Sequence, residues 1–169
     1  MKTGESLGSR LKRGVCCFGL SVVLPCPSVI EMAALAGYDF VRIDWEHALF
    51  GAIELRELLN TARLVGMPCQ VRVPELTMIT PLLGQEPAGI MVPHVESEKE
   101  ARAAVDACRF QPLGRRGMDG NTRRMRCEGM TRRTYMEYQQ ENLDIVVQIE
   151  SIPAVSYTHL RAHETCADL

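Results

Sequence analysis

Short apolar runs recur along the chain, separated by stretches whose apolar residues follow helical spacing. After a polar start, Val15–Leu20 reads as a first strand. Pro27 and Ser28 then open a helix, with Ser28 and Glu31 at capping-box spacing and Gly37 as its stop. Phe40–Asp44 reads as strand two. Ile53–Val65 sets Leu55, Leu58, Leu59, Ala62 and Val65 on one face, the period of an amphipathic helix that Gly66 ends. Pro68–Val73 is strand three, a short helix is expected around Met78–Leu83, and Gly89–Val92 is strand four. Ser97 and Glu100 form a second capping box, opening a helix that packs through Ala101, Ala104, Val105 and Cys108. Phe110–Gly129 has no apolar period and reads as a long loop. A helix near Arg132–Glu141 and a fifth strand, Asp144–Ile149, follow. Strands alternating with helices make parallel βαβ units, so the fold class is α/β, with no internal repeat and no sign of a second domain.

Charge is concentrated where the strands stop. The run Tyr38–Ile43 ends in Asp44-Trp45-Glu46-His47; Val71-Arg72-Val73-Pro74 delivers a cation, and Val146–Glu150 delivers Gln148 and Glu150. Charged groups are costly to bury unpaired, so such clusters belong at strand exits facing a cleft. Three polar exits that could converge point to an active site at one end of a parallel sheet.

Bulk properties narrow the classes. A length of 169 residues suits one domain, 46% hydrophobic composition supports a core, and a net charge of −2 supplies no field for nucleic acid. Seven cysteines without a C-x-x-C pair, mostly inside apolar runs, are expected to be reduced and buried in a cytoplasmic protein. Lys12-Arg13 followed by the apolar run 14–24 imitates a secretory leader, but Glu5 and the lack of a clean cleavage site favour a buried strand. The run is also too short to span a bilayer. Seven arginines between Arg115 and Arg133 could track phosphates, yet the aromatic residues that stack bases are missing. An active-site loop, a subunit contact or a plain solvated loop fits better.

The pattern changes character after Ala154. Residues 155–165 are similar to a translated sequencing-library adapter, and Cys166–Leu169 fits a sample index with flanking adapter. Residues 155–169 are therefore expected to be a non-native tail. The i, i+4 pair His159 and His163, otherwise tempting as metal ligands, is discounted with it; the duller reading is an ordinary C-terminal helix. A (β/α)8 barrel usually needs about 250 residues, whereas an open five-stranded doubly wound sheet would fit the length as it stands. Sheet order cannot be read from one sequence.

Around Ile43-Asp44-Trp45-Glu46-His47 a family resemblance becomes specific. Ala36–Phe40, Val71–Pro74, Gly89–Ser97, Pro112–Gly117 and Val147–Glu150 continue it in order, over about residues 10 to 154. The chain resembles the HpcH/HpaI aldolases, class II enzymes that make and cleave 2-oxo-acid aldols. The resemblance implies a (β/α)8 TIM barrel, here truncated after about five strands, with residues 1–154 as the N-terminal part of a single barrel. It also implies a divalent metal (Mg2+, Mn2+ or Co2+), a pyruvate enolate donor and a homo-oligomer, a hexamer by family pattern. Glu150 then corresponds to a metal ligand whose partner Asp lies beyond a sixth strand. Arg72 corresponds to the arginine that contacts the 2-oxo acid, Gln148 to a residue beside the metal, and His47 with Asp44 to the acid/base pair. One departure falls in Leu82–Ala88, where Gly84 replaces an Asp and Glu86 a Gly; it bears on the support of Arg72 and on the shape of that turn.

The chemistry asks for these residue types. Making an enolate from pyruvate removes a methyl proton while charge builds on the carbonyl oxygen. A hard carboxylate suits a hard divalent cation, which serves as a Lewis acid. Arg72 is a fixed planar cation suited to a carboxylate or an oxyanion. The His47 imidazole suits a proton shuttle, with Asp44 to orient it. The duller readings are a turn capped by Asp44, Glu46 and His47 and paired with Arg42, a surface Arg72, a helix-capping Glu150 and a backbone-satisfying Gln148. His94 is expected at the rim or in a structural role.

The expected function is metal-dependent cleavage or formation of 4-hydroxy-2-oxo or 2-oxo-3-deoxy acids from pyruvate and an aldehyde, with no nucleic acid or membrane partner. The alternatives are a truncated, non-catalytic barrel fragment and a related lyase acting on malyl-CoA or citryl-CoA thioesters. Sequencing the source DNA across the codon for Ala154 tests the tail: the frame should continue into further βα units with an Asp at a strand exit. A genomic Val155–Leu169 would refute the adapter reading.

Overall fold

Five strands, β1 (Gly19–Val22), β2 (Phe40–Asp44), β3 (Cys69–Arg72), β4 (Gly89–Val92) and β5 (Asp144–Val147), form one sheet. All run parallel and pair in chain order, β1-β2-β3-β4-β5. The computed structural model describes residues 6–120 and 122–156; His159 and His163 lie outside the described residues. The strand order decides between the two architectures. A doubly wound sheet reverses direction at a switch point, whereas neighbours in unbroken chain order are the arrangement of consecutive strands in a (β/α)8 barrel.

The pleat gives the sheet two different faces. Val22, Val41, Ile43, Val71, Val73, Ile90 and Val92 lie on the helix side and are at most 5% exposed. Burying each such side chain contributes roughly 1.5–3 kcal/mol. The alternate positions carry Ser21, Arg42, Asp44, Gln70, Arg72 and Met91. On that face Arg42 Nη1 donates to Met91 Sδ (3.1 Å), while its Nε is buried without a hydrogen-bond partner. Arg42 therefore does not serve Asp44 or Glu46 as their partner.

The helices cover the aliphatic face. Pro27 begins α2 (Pro27–Ala36) directly after Cys26, so Ser28 does not cap it; Gly37 ends it at φ +86, a conformation that glycine adopts without strain. α3 (Ala52–Leu64) buries Leu55, Leu58, Leu59 and Ala62, as the period requires, while Val65 only terminates it. A 3-10 turn at Leu76–Met78 leads into α4 (Ile79–Leu83). Ser97 caps α5 (Glu98–Cys108) by accepting from Glu100 N (3.3 Å), and the Glu100 carboxylate returns to Glu96 N (2.8 Å). α7 (Arg132–Asn142) and the short α8 (Ile152–Val155) complete the described chain.

Three expectations are corrected. The polar start holds a six-residue helix, α1 (Leu7–Lys12), whose Arg10 pairs with Asp39 (2.8 Å). Only Leu7 of α1 is buried, too little for a readable period. Strand one begins at Gly19 rather than Val15, because pairing with β2 starts at Gly19–Phe40. Cys69 and Cys108 are buried, and burial pushes both thiols to about 12, but Cys16 and Cys26 are exposed.

The arginine-rich segment is neither a featureless loop nor part of the strand-exit cluster. It contains α6 (Arg123–Cys127) and gathers around the turn that precedes β4, at the opposite end of the sheet from the strand exits. Arg116 donates to Leu83 O (3.3 Å) and Gln139 Oε1 (2.9 Å) and stacks over Phe110. Glu86, at φ +57, has a side chain only 2% exposed. Its carboxylate accepts from Arg124 N (3.2 Å) and faces the Arg123 and Arg124 side chains at 3.9 and 3.8 Å. The turn therefore keeps the left-handed backbone that a glycine would supply freely, and the arginines hold the strained glutamate in place. Arg115 and Arg133 are exposed, as a solvated segment predicts.

At the same end Asp144 opens β5, and burial pushes its carboxyl up to about 6 despite the Gly8 N–H and the Arg109 charge. One of its oxygens is buried without a hydrogen-bond partner. A raised carboxyl favours folding while protonated; that contribution is lost as pH rises from about 4 through about 6. Asp144→Asn should thus raise the thermal midpoint at pH 8 by the equivalent of about 1–3 kcal/mol, with the gain shrinking towards pH 4.5. An equal offset at both pH values in a thermal melt would contradict this account.

Candidate active site

The parallel strands bring Asp44, Arg72 and Gln148 to one edge, and the register sets Asp44 directly beside Arg72. Arg72 Nε donates to Asp44 Oδ1 (2.9 Å) and Nη2 donates to Oδ2, a two-pronged ion pair. Such a fork fixes the guanidinium in plane as well as in position. Arg72 Nε also lies 3.2 Å from Glu46 Oε2, and Nη1 donates to Gln148 Oε1 at 3.4 Å. The support of Arg72, placed in doubt by Gly84, comes from Asp44 and Glu46 instead.

The contacts continue from Gln148. Its Nε2 donates to Glu150 Oε1 (3.3 Å). Glu150 Oε2 faces the His94 backbone N–H and ring Nδ1, each at 3.2 Å, and His94 Nε2 meets Glu46 Oε1 at 2.9 Å. Arg72, Gln148, Glu150, His94 and Glu46 thus close a ring around the strand exits, with Asp44 bracing Arg72 from outside. Glu46 and His94 are the residues to which the sequence pattern assigns too little weight. The signal for Glu46 is its place inside the Asp44–His47 motif; His94 offers only its position at the β4 exit.

His47 stands apart. Its backbone N–H donates to Asp44 Oδ1 (3.2 Å), but its ring does not touch Asp44 and lies 3.5 Å from Glu46 Oε2. The side chain is 63% exposed. Trp45 Nε1 donates to Phe50 O (3.2 Å), pinning the loop that carries it. The structure therefore places Asp44 as the holder of Arg72 and of the His47 backbone.

Electrostatics follow the same lines. Burial pushes the Asp44 carboxyl up, but bonds from Arg72 and the His47 N–H, with the Arg72 charge, outweigh it and hold the group below its ordinary range. The hydrogen bond to Asp44 raises Arg72 further, against its desolvation. No shift here asks either partner of the pair to neutralise.

The donor set bears on a metal. Among the described residues no group of three or more His, Cys, Asp and Glu side chains is gathered to hold one. Glu150 nonetheless offers a hard oxygen donor, 38% exposed, with a lone pair left on Oε1 after its three contacts with Gln148 and His94. One carboxylate, with water and substrate oxygens as further ligands, is a common arrangement for Mg2+. Glu150 fits that role.

Comparison with known proteins gives a consistent picture. A family model described as HpcH/HpaI aldolase/citrate lyase matches residues 18–160. A 4-hydroxy-2-oxovalerate aldolase of Novosphingobium aromaticivorans is 33% identical over 157 residues, 89% of this chain and 58% of that protein. The crystal structure of an HpcH/HpaI aldolase from Desulfitobacterium hafniense superposes with a TM-score of 0.80 at 26% identity, covering 90% of this chain and 60% of that one. A citrate synthase structure matches with a TM-score of 0.77 at 29% identity, covering 89% and 58%. The chain spans about half the length of the curated relatives it matches. No helix of the described residues is long and apolar enough to cross a membrane.

The Asp44–Arg72 pair yields a stability test. Asp44→Asn leaves a mostly buried guanidinium short of a charge partner and should cost about 2 kcal/mol at pH 7. A depressed carboxyl contributes stability that is present above its ordinary value of 3.8 and lost as pH falls through the lower folded value. The gap between parent and variant in denaturant unfolding should therefore narrow below about pH 4; a pH-independent gap would argue against the ion pair.

Proposed function

The chain belongs to the HpcH/HpaI aldolase/citrate lyase family, and from that premise and the strand-exit geometry we propose that it carries out metal-dependent aldol cleavage and formation. The substrate class is 4-hydroxy-2-oxo or 2-oxo-3-deoxy acids, with pyruvate as the enolate donor and an aldehyde as the second product. The observation that carries this reading is Arg72, a guanidinium immobilised by Asp44 and Glu46 beside Gln148 and Glu150.

In cleavage, the C4 hydroxyl must lose its proton while the C3–C4 bond breaks and its electrons move into the enolate. Arg72 uses part of its donor set on Asp44 and Gln148, and the remaining N–H groups can meet the substrate carboxylate or the enolate oxygen. Because Asp44 has fixed the fork beforehand, little reorganisation is needed as the charge forms. The exposed His47 imidazole, on a loop pinned through Asp44 and Trp45, takes the hydroxyl proton and returns it in the synthetic direction. Gln148 keeps Arg72 and Glu150 in mutual register. A divalent cation (Mg2+, Mn2+ or Co2+) held by Glu150 would supply Lewis acidity towards the 2-oxo acid oxygens. The family resemblance supports a cytoplasmic homo-oligomer for the whole protein.

A second reading, carbon–carbon chemistry on a citrate-type or CoA-thioester substrate, is favoured by the likeness to a citrate synthase. Offering malyl-CoA and citryl-CoA beside a 4-hydroxy-2-oxo acid separates the two. In the protein that carries these residues, His47→Ala should slow pyruvate release by about 10²–10⁴-fold while leaving Mn2+ affinity nearly unchanged. Equal rates for parent and variant would remove His47 from the mechanism.

A further inference from the structure

His94 is the strained member of the ring. It follows Pro93 at the exit of β4 and adopts φ +54, a left-handed conformation uncommon for a residue other than glycine. Such outliers persist where the surroundings over-determine them and cluster at functional sites. Here the strained backbone turns its N–H towards Glu150 Oε2 (3.2 Å) and brings ring Nδ1 to the same oxygen (3.2 Å). The other ring nitrogen reaches Glu46 Oε1 at 2.9 Å. One imidazole therefore ties the exit of β2 to the exit of β5, two strands that β3 and β4 separate in the sheet. A glycine at this position would make the same turn at no cost, but without the bridge.

The bridge matters because Glu150 is 38% exposed and sits past the end of its strand. A carboxylate in that setting can turn about its side-chain torsions. Gln148 alone holds one oxygen, at 3.3 Å. With His94 on the other oxygen, both ends of the carboxylate are fixed, and a lone pair on Oε1 remains for a further ligand. Partners of this kind orient metal-binding carboxylates, and their loss typically costs about 10–100-fold in metal affinity.

We propose that His94 is a positioning residue, whose left-handed backbone and bridging imidazole hold Glu150 in the orientation in which it takes a divalent cation, with Glu46 kept beside Arg72. The proposal rests on the reading of Glu150 as a metal ligand given above. It makes His94 neither a ligand nor a proton carrier.

The test is a Mn2+ titration of the metal-free protein, followed calorimetrically, for the parent and for His94→Ala, His94→Gly and His94→Gln, each with a thermal melt. The Ala and Gly variants should bind Mn2+ roughly tenfold more weakly or worse. The Gln variant, whose amide can still bond one carboxylate, should recover part of the loss. His94→Gly relieves the backbone strain, so its melting temperature should equal or exceed the parent's, which separates lost positioning from lost fold. Unchanged affinity in the Ala and Gly variants, no rescue by Gln, or a Gly variant that melts well below the parent would overturn the proposal. Failure of the underlying reading shows elsewhere: a parent that binds no Mn2+, or binds it equally after Glu150→Gln, removes Glu150 as the ligand and the proposal with it. Aldol cleavage is not part of this readout, so an inactive parent that binds Mn2+ through Glu150 would count against the aldolase reading alone.

Discussion

The two-pronged bond between Arg72 and Asp44 organises this end of the molecule. It joins β2 to β3 at the last residue of each strand, where the ladder of backbone bonds runs out. Each charge would be costly to bury alone, so each makes the other tolerable at the sheet edge. With the guanidinium fixed, its outer nitrogen can meet Gln148, and Gln148 can meet Glu150. With the carboxylate of Asp44 fixed, the His47 backbone has an anchor. The site is thus built outward from one pair on strand ends, to which Glu46, His94, Gln148 and Glu150 are joined from the segments just past the strands.

The opposite end of the sheet uses the same physics for a different purpose. Around Glu86 the charges face one another across a turn, and Arg116 reaches the Leu83 carbonyl, the Gln139 side chain and an aromatic ring. This cluster fastens the segment between α5 and α7 onto the sheet. Charge type alone would not distinguish the two ends; their placement relative to strand direction does, since the carboxyl ends of parallel strands carry the chemistry in α/β barrels.

Much of this was legible in the sequence, and the reasons for the misses are specific. Strand exits announce themselves because an apolar run that stops in Asp44, Arg72 or Glu150 must hand its charge to a cleft or to a partner. The helices α3 and α5 were readable from period and cap. The six-residue α1 was not, since a single buried leucine leaves no period. The start of β1 was blurred by a continuous apolar run in which only pairing with Phe40 marks the first residue. The arginine segment misled because a side chain's partners across the fold, such as Leu83 O for Arg116, leave no trace in local spacing. For the same reason the sequence paired His47 with Asp44 through its ring, while the structure joins them through the backbone.

That last difference alters how the site can work. An imidazole locked against Asp44 would be a well-oriented base with a fixed reach. In the structure Asp44 is already committed to Arg72, and its remaining tie to His47 is through the main chain. The ring is 63% exposed and 3.5 Å from Glu46, so it is anchored at its root and open to solvent at its tip. A retro-aldol step needs one group that does not move, to meet charge as it develops on the enolate oxygen. It needs another that can approach a hydroxyl whose position varies with the length of the aldehyde portion. Under the proposed aldolase reading, the rigid Arg72 and the tethered His47 would divide those two requirements between them, with Asp44 Oδ1 accepting from both Arg72 Nε and the His47 N–H.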